Sequence, residues 1–559
     1  MGEYPLVFIF TLGFVFLSIL ITYLTLNKGQ STSEFYVAGN QVPWVQVGIA
    51  MVGSYLSAAS FLGVAGDIAI KGVDRIWLAI GFFGGYMALL MLIAGPLRNV
   101  GSYTVADALY RRFPDDRIKL IVMVTTLVIS TFYLVPQVLG AGLVFELLLG
   151  WNFLVTTIGI GVLISLYIIY GGMKATLYNQ VVQAIFLWAA MVVIVIAGVF
   201  MFFDGSINKI FETAGQIVPP SIAGPNAGAV AASAAAVSAG AAIDPALAAK
   251  YGTVIPASAT AAFTAVRASM PDAATAMTIG VQTPSTFAQI STVLALVFGT
   301  AGLPHILIMF FTVPSASAAK KSVTLCVIAL GIFYFCSIFL GFITLILVYP
   351  QLIAWIGAGK VGMATNMAVL KVAEMIGGQW LMAISTAGAV AAILSTAAGL
   401  MITCASTISH DFYKVYINKE ATEAQEINIA KLTTVIMSAI AVLLAYVLKG
   451  ENVAWLVTLA FGIAASAIFP TMIATLWWKK FTRQAALAGM STGLGISVIF
   501  IVLLLSGVKE VFGLSVVGGP GIFGVTVGIL VVVLVSLFTN DYGKDVNGFF
   551  ALAHKTEKE

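Results

Sequence analysis

Residues Met51–Ile70 read MVGSYLSAASFLGVAGDIAI, and this stretch decides the fold. It is apolar enough to lie in a bilayer, yet Ser54, Ser57 and Ser60 stand at its centre beside Gly53, Gly63 and Gly66. Small hydroxylic and glycine residues at membrane depth have two physical uses. They let a helix unwind where neighbouring protein or a water-filled cavity satisfies the freed backbone groups, which presents carbonyls and amides to a ligand. They also let two membrane helices approach closely. The stretch by itself leaves both uses open.

Outward from it, the whole chain is apolar. Hydrophobic residues fill 60% of 559 positions and charged residues only 9%, with a mean hydropathy of +1.04, whereas a soluble domain carries roughly 25% charged residues. A polytopic membrane protein follows. The net charge of +4 is spread over short loops, so it bears on orientation and gives no reason to expect a nucleic-acid partner. Cys326, Cys336 and Cys404 lie in apolar runs without CxxC spacing, which reads as small core residues. The first run, 5–26, is too long for a signal-peptide core and has no basic region before it, so it reads as a retained span.

Apolar runs of about 20 residues predict thirteen spans: 5–26, 44–70, 75–97, 120–149, 152–170, 179–203, 287–312, 322–349, 379–405, 430–448, 452–478, 485–507 and 521–538. An odd number puts the termini on opposite sides. With the N-terminus outside, most of the 27 basic residues fall inside, among them Arg98, Arg111, Arg112, Arg117, Lys119, Lys174, Lys320 and Lys321. The positive-inside rule then makes the C-terminus cytoplasmic in a cell (inner) membrane. The long loop 204–286 holds a low-complexity tract, Ala227–Ala242, and is assigned no chemistry. The tail is expected to add no catalytic domain, and no GxxxxGK[ST] phosphate loop supports ATP-driven pumping.

A second interrupted span, VFGTAGLPH at Val297–His305, gathers two glycines and a proline. Counted from the first broken span it is the sixth of a run of ten, with its break at the corresponding place. Two Gly/Pro-interrupted spans at matching positions in two halves are the sequence sign of an inverted-repeat secondary transporter. The expected division is therefore 1–43 as a first helix and linker, 44–478 as a ten-helix core, 479–540 as two accessory helices and 541–559 as a cytoplasmic tail.

Five stretches carry a resemblance: SAASFLG at Ser57–Gly63, YTVADALYRRF at Tyr103–Phe113, YGGMKATLYNQ at Tyr170–Gln180, FGTAGLPHILIMFFT at Phe298–Thr312 and AAILSTAAGLMITCASTISHDFY at Ala391–Tyr413. The chain resembles the sodium/solute symporters, and among them the acetate (cation/monocarboxylate) permeases. The resemblance implies an all-α membrane protein with a leucine-transporter-type core of two inverted five-helix repeats. It also implies that Na+ is the coupling ion. In that family one ion lies between the broken first core helix and the eighth, and the matching positions are Gly53, Leu56, Ala392, Ser395 and Thr396. A hard cation takes such oxygens readily, although Ser395 and Thr396 read alone as well as hydroxyls bonded one turn back along their own helix. Where members with a second ion place an aspartate, this chain has Gln180, and a neutral amide repays an ion's dehydration poorly. One Na+ per cycle is the expectation.

Candidate substrate contacts are Ser57, Ala58 and Ser60 at the first break, Tyr133 and Gln137 at i and i+4 of a long span, and Thr300 near the second break. Asp67, with Lys71 at i+4, reads as a helix-end ion pair or gate residue. His305 reads as a structural, hydrogen-bonded histidine. Met309 stands where the permeases often have an arginine. No His/Asp/Glu cluster or serine with a base appears in the spans, which argues against an enzyme. The expected function is Na+-coupled uptake of a short monocarboxylate such as acetate by a monomer in the lipid bilayer. The alternatives are another small solute (pyruvate, propionate or proline) on the same fold, or a transport-inactive sensor.

Overall fold

The computed structural model describes residues 4–25, 31–223, 285–516 and 518–555, with 259, 262, 266, 270 and 272–279 from the loop between. The tract Ala227–Ala242 lies outside the described residues. Among those described, eleven helices are long and apolar enough to cross a membrane. Three of them are too long for one crossing, the longest being Val361–Ile417 at 57 residues. Phe153–Phe202, at 50 residues, would extend about 75 Å, against a hydrocarbon core of about 30 Å. It folds at Gly172 (φ +54°), a left-handed conformation that L side chains rarely adopt. The run Ala59–Val100 turns back in the same way at Gly72 (φ +74°). Divided at these two glycines, the described residues give the thirteen spans expected from the apolar runs.

The spanning elements are α1 (Pro5–Leu24), α2 (Trp44–Tyr55), α3 (Val64–Lys71), α4 (Ile76–Ala88), then a short amphipathic α5 (Val105–Arg112), α6 (Asp116–Leu149), α7 (Phe153–Phe202), α8 (Thr286–Ala301), α9 (Pro304–Leu307), α10 (Ala316–Leu347), α11 (Val361–Ser406), α12 (Glu423–Val447), α13 (Val453–Trp477), α14 (Arg483–Leu505) and α15 (Gly521–Phe538). Their starts follow local chemistry. Ser315, Thr422, Asn452 and Thr482 cap the first turns of α10, α12, α13 and α14 with side-chain oxygens. Two boundaries differ from expectation. Helix α11 begins at Val361 and bends at Gly377–Gly378, because the polar residues before 379 still form a helix outside the apolar run. The tail forms a further short helix, Val546–Ala553, whose last carbonyl accepts a hydrogen bond from Asn99 (3.0 Å).

Interhelix contacts show the inverted repeat directly. The first broken span packs through α2 against α7 and α10, and the second packs through α8 against α13 and α4. Exchanging the two halves maps one set of neighbours onto the other. Helices α14 and α15 pack on each other and against α13, outside the repeats.

At one end of the bundle, α5, α6, the segment Thr407–Ile417 that continues α11, and α12 meet in an ionic knot. Lys119 reaches Asp107 (3.2 Å) and Asp411 (3.5 Å), His410 reaches Asp107 (3.4 Å) and Glu426 (3.7 Å), and Lys414 pairs with Glu426. Thr104 donates to Asp411 at 3.1 Å. Asp107, His410 and Asp411 bring ligand-type atoms within 4.8 Å of one another, but the Lys119 ammonium already supplies the cation there. Burial raises the Asp107 carboxyl; the His410 hydrogen bond and the Lys119 charge outweigh it and hold that group well below the usual carboxylate range.

Asp107→Asn is expected to destabilise the fold by about 2 kcal/mol near neutral pH. Because folding lowers this carboxyl's pKa, the wild-type advantage is fully present above the unfolded value of about 3.9, begins to shrink below it and is lost only as pH falls through the much lower folded value. Thermal unfolding of both proteins in detergent between pH 8 and pH 3 checks this, and a gap independent of pH would exclude the ionic role.

Candidate functional site between the two interrupted helices

The first break is a true loss of helix. Leu56 has ψ +97° and its N–H closes the last turn on the Val52 carbonyl (2.8 Å). A helix leaves its last four carbonyls without intrahelical partners, so those freed here run from Gly53 to Leu56. The chain resumes helix at Ala59–Gly63 as one wide π turn. The second break lies at Gly302 and Leu303, and Pro304, which has no N–H to leave unpaired, starts α9. Both breaks are fully buried.

Opposite the first break stand Ser395 and Thr396 of α11. In this helix Ser385, Thr386 and Thr403 each donate to a carbonyl four residues back, at 2.6 to 2.8 Å. Ser395 and Thr396 do not: both hydroxyls are buried without a hydrogen-bond partner. The Ser395 hydroxyl lies 2.9 Å from where a Cβ on Gly53 would stand, and such a Cβ would overlap the Gln180 carbonyl. Glycine is therefore required for α2, α7 and α11 to meet. Gln180 donates to the Ser395 carbonyl (3.1 Å) while its own side-chain oxygen stays unpartnered. With the carbonyls of Gly53 and Leu56 and that of Ala392 one turn before Thr396, the residues fit a hard, dehydrated monovalent cation.

The substrate candidates divide into two groups. Ser57, Ala58, Tyr133 and Gln137 come together: the Ala58 N–H donates to Gln137 (3.4 Å), Gln137 donates to the Tyr133 carbonyl (3.3 Å), and the Tyr133 hydroxyl interacts with Ser57. Ser60 and Thr300 face an adjoining aromatic cluster instead. Ser60 bonds the Tyr334 hydroxyl (2.9 Å), and Thr300 bonds the Tyr55 hydroxyl (2.7 Å) and the Leu296 carbonyl (2.7 Å). Phe461 joins the groups, with ring centroids 5.3 Å from Tyr133 and 6.1 Å from Tyr55. Sequence reasoning missed Tyr55, Tyr334 and Phe461. Their spacing carries no signal, and only the fold assembles them.

His305 corrects one expectation. It is fully buried, but neither ring nitrogen has a hydrogen-bond partner. It thus lacks the hydrogen bond expected of a satisfied structural residue, and the Tyr133 ring packs against it. Asp67, in contrast, pairs with Lys71 (2.8 Å) as its spacing predicts, and also with Arg75 (3.1 Å) beyond the Gly72 turn.

Two cavities approach the site from opposite ends. One, of 340 Å³, lies beside Glu34, Gln46 and Lys174; the other, of 180 Å³, lies beside Asp67, Arg75, Glu451 and Trp455. Neither is lined by any candidate site residue, so the centre is closed on both sides.

Comparison with known proteins agrees with this geometry. The sequence pattern of the "Sodium:solute symporter family" matches residues 35–493. The uncharacterized symporter YwcA of Bacillus subtilis is 35% identical over 554 residues, covering 97% of this chain and 96% of its own. A monocarboxylic acid transporter of Corynebacterium glutamicum is 35% identical over 500 residues, covering 88% and 82% respectively. Among solved structures, a Na+-coupled sialic acid symporter superposes with a TM-score of 0.69 over 96% of this chain and 98% of its own, at 15% identity, and so shares the fold. These relatives are transporters and not enzymes. With interrupted helices, inverted repeats and a match across most of its length, this multi-pass membrane protein belongs to the sodium:solute symporter family.

Proposed function

We propose that this symporter couples entry of one Na+ to uptake of a short monocarboxylate, with acetate as the reference substrate. The observation that carries the reading is the pair of buried, unpartnered hydroxyls on Ser395 and Thr396, the first of them packed against Gly53 where α2 ends. The ion is held by the carbonyls of Gly53, Leu56 and Ala392 and by those two hydroxyls. The monocarboxylic acid transporter at 35% identity supports the substrate class. So does a site whose donors are neutral: Ser57, Ala58, Tyr133 and Gln137 bind a small solute, Ser60 and Thr300 shape its far wall, and Na+ supplies the positive charge.

The basic end of the bundle, with Lys119 and Lys174, faces the cytoplasm of a cell's inner membrane, which leaves the N-terminus outside. The cavity beside Lys174 is then the inward path and the one beside Asp67 the outward path. Asp67, Lys71 and Arg75 close the outer side; Asp107, Lys119 and Asp411 close the inner side. The core 44–478 performs transport as a monomer, and α14 and α15 brace it.

Losing one of about five ion oxygens should weaken apparent Na+ affinity by about 1 to 3 kcal/mol, or roughly 5- to 150-fold. Ser395→Ala and Thr396→Ala are each expected to do so with little change in membrane abundance. Na+ titration of labelled acetate uptake in liposomes checks this, and unchanged Na+ dependence in both variants would remove the ion site.

The second expectation follows from Gln180, a neutral amide engaged on the Ser395 carbonyl. One Na+ with one monovalent anion moves no net charge, so uptake should not respond to voltage. A two-ion cycle would gain about 2.3 kcal/mol per 100 mV. Initial rates at fixed Na+ gradient and varied potassium diffusion potential decide it: a flat profile is expected, and a steep rise at inside-negative potential would require a second cation.

A further inference from the structure

The most exposed inconsistency in the interior is His305. A neutral imidazole carries one donor and one acceptor, and burying both unpaired forfeits their hydration with no return. The other two histidines avoid this: His554 bonds the Leu476 carbonyl (2.8 Å) and His410 faces Asp107 (3.4 Å). His305 packs at an angle against the Tyr133 ring, with centroids 5.3 Å apart, and stands beside Gly399.

Gly399 marks where separate elements converge. A Cβ built there would stand 2.7 Å from the Ser54 hydroxyl, 3.2 Å from the Gln180 amide nitrogen and 3.7 Å from the His305 ring. Ser54 comes from α2, Gln180 from α7 and His305 from the second break. The Ser54 hydroxyl and the Gln180 oxygen are themselves buried and unpartnered. Gly399 lies four residues beyond Ser395, so both share one face of α11. Unpartnered polar atoms thus lie from Ser395 to the Gly399 crossing where His305 stands, and on the far side of the Tyr133 ring Ser57 and Gln137 are already hydrogen-bonded within the protein.

We propose that His305 is a substrate-binding residue whose ring N–H donates to the carboxylate of the transported solute, beside the ion held at Ser395 and Thr396. The inference rests on the monocarboxylate reading above and adds the group that recognises the carboxylate. The ring N–H gives direction, while the adjacent cation gives charge. The Tyr133 and Phe461 rings, 5.3 Å apart, take the short apolar tail. A site that hydrogen-bonds a substrate group in a dry interior discriminates strongly against variants that leave that group unpaired.

The test uses the full-length protein in liposomes with labelled acetate at saturating Na+, comparing wild type with His305→Ala, His305→Leu and His305→Gln. His305→Ala and His305→Leu are expected to raise KM at least tenfold. His305→Gln, which keeps a donor, should recover to within about threefold of wild type. Na+-dependent thermal stabilisation without substrate should match wild type in all three, a pattern that a structural role would not produce. Should His305→Ala fail to fold, His305→Leu, of similar volume, carries the comparison with His305→Gln. Wild-type uptake with an unchanged KM in the Ala and Leu variants overturns the role of His305 alone. A wild-type protein that takes up no short monocarboxylate overturns the substrate reading and this inference together.

Discussion

A backbone amide or carbonyl in a bilayer has no water to turn to, and the rest of this structure depends on that constraint. It forces nearly every described residue at membrane depth into helix. It also means that the two places where the chain leaves helix, Leu56–Ser57 and Gly302–Leu303, must lie inside protein, as they do. Carbonyls freed there cannot be hydrated by lipid. They are either an energetic fault or a ligand set, and their position opposite two unpartnered hydroxyls favours the second.

The behaviour of α11 sharpens that choice. Serine and threonine in membrane helices ordinarily return their hydroxyl to a carbonyl one turn back, and Ser385, Thr386 and Thr403 in this helix do so. Local composition and spacing do not separate Ser395 and Thr396 from those three, and only the family resemblance singled them out. What separates them is the neighbour across the interface. Gly53 brings α2 close enough for the hydroxyls to point outward, and Gln180 takes the Ser395 carbonyl from the side. The orientation is a property of three helices together.

That contrast explains which parts were legible beforehand. Span number, the two breaks and the pairing of Asp67 with Lys71 rest on local rules of hydropathy, glycine and proline placement and i,i+4 spacing, and the structure reproduces them. Arg75 escaped because it reaches Asp67 only after the chain reverses at Gly72. The knot of Asp107, Lys119, His410, Asp411 and Glu426 escaped because its members come from two stretches, one holding Asp107 and Lys119 and the other His410 to Glu426, about 290 residues apart in sequence. His305 was misread for a related reason: burial was inferable from its apolar neighbours, but the lack of a partner depends on Tyr133 and Gly399, which the fold supplies.

The distribution of charge between centre and ends then bears on how such a molecule can move. Around the site every polar contact is neutral, whereas each end is tied by carboxylates to lysine or arginine: Asp67 with Lys71 and Arg75 at one end, Asp107 and Asp411 with Lys119 at the other. Paired charges near a membrane face can separate into water when that end opens, so each tie is strong when closed and recoverable when open. A charge pair at the centre would have no such refuge and would lock the repeats together. Under the proposed cycle, neutral oxygens there would bind only when an ion arrives to complete them. The ion would then contribute the attraction that joins α2 of one repeat to α11 of the other, and its departure would remove it. On that reading closure at the centre is governed by ligand, and closure at the ends by the protein's own charges.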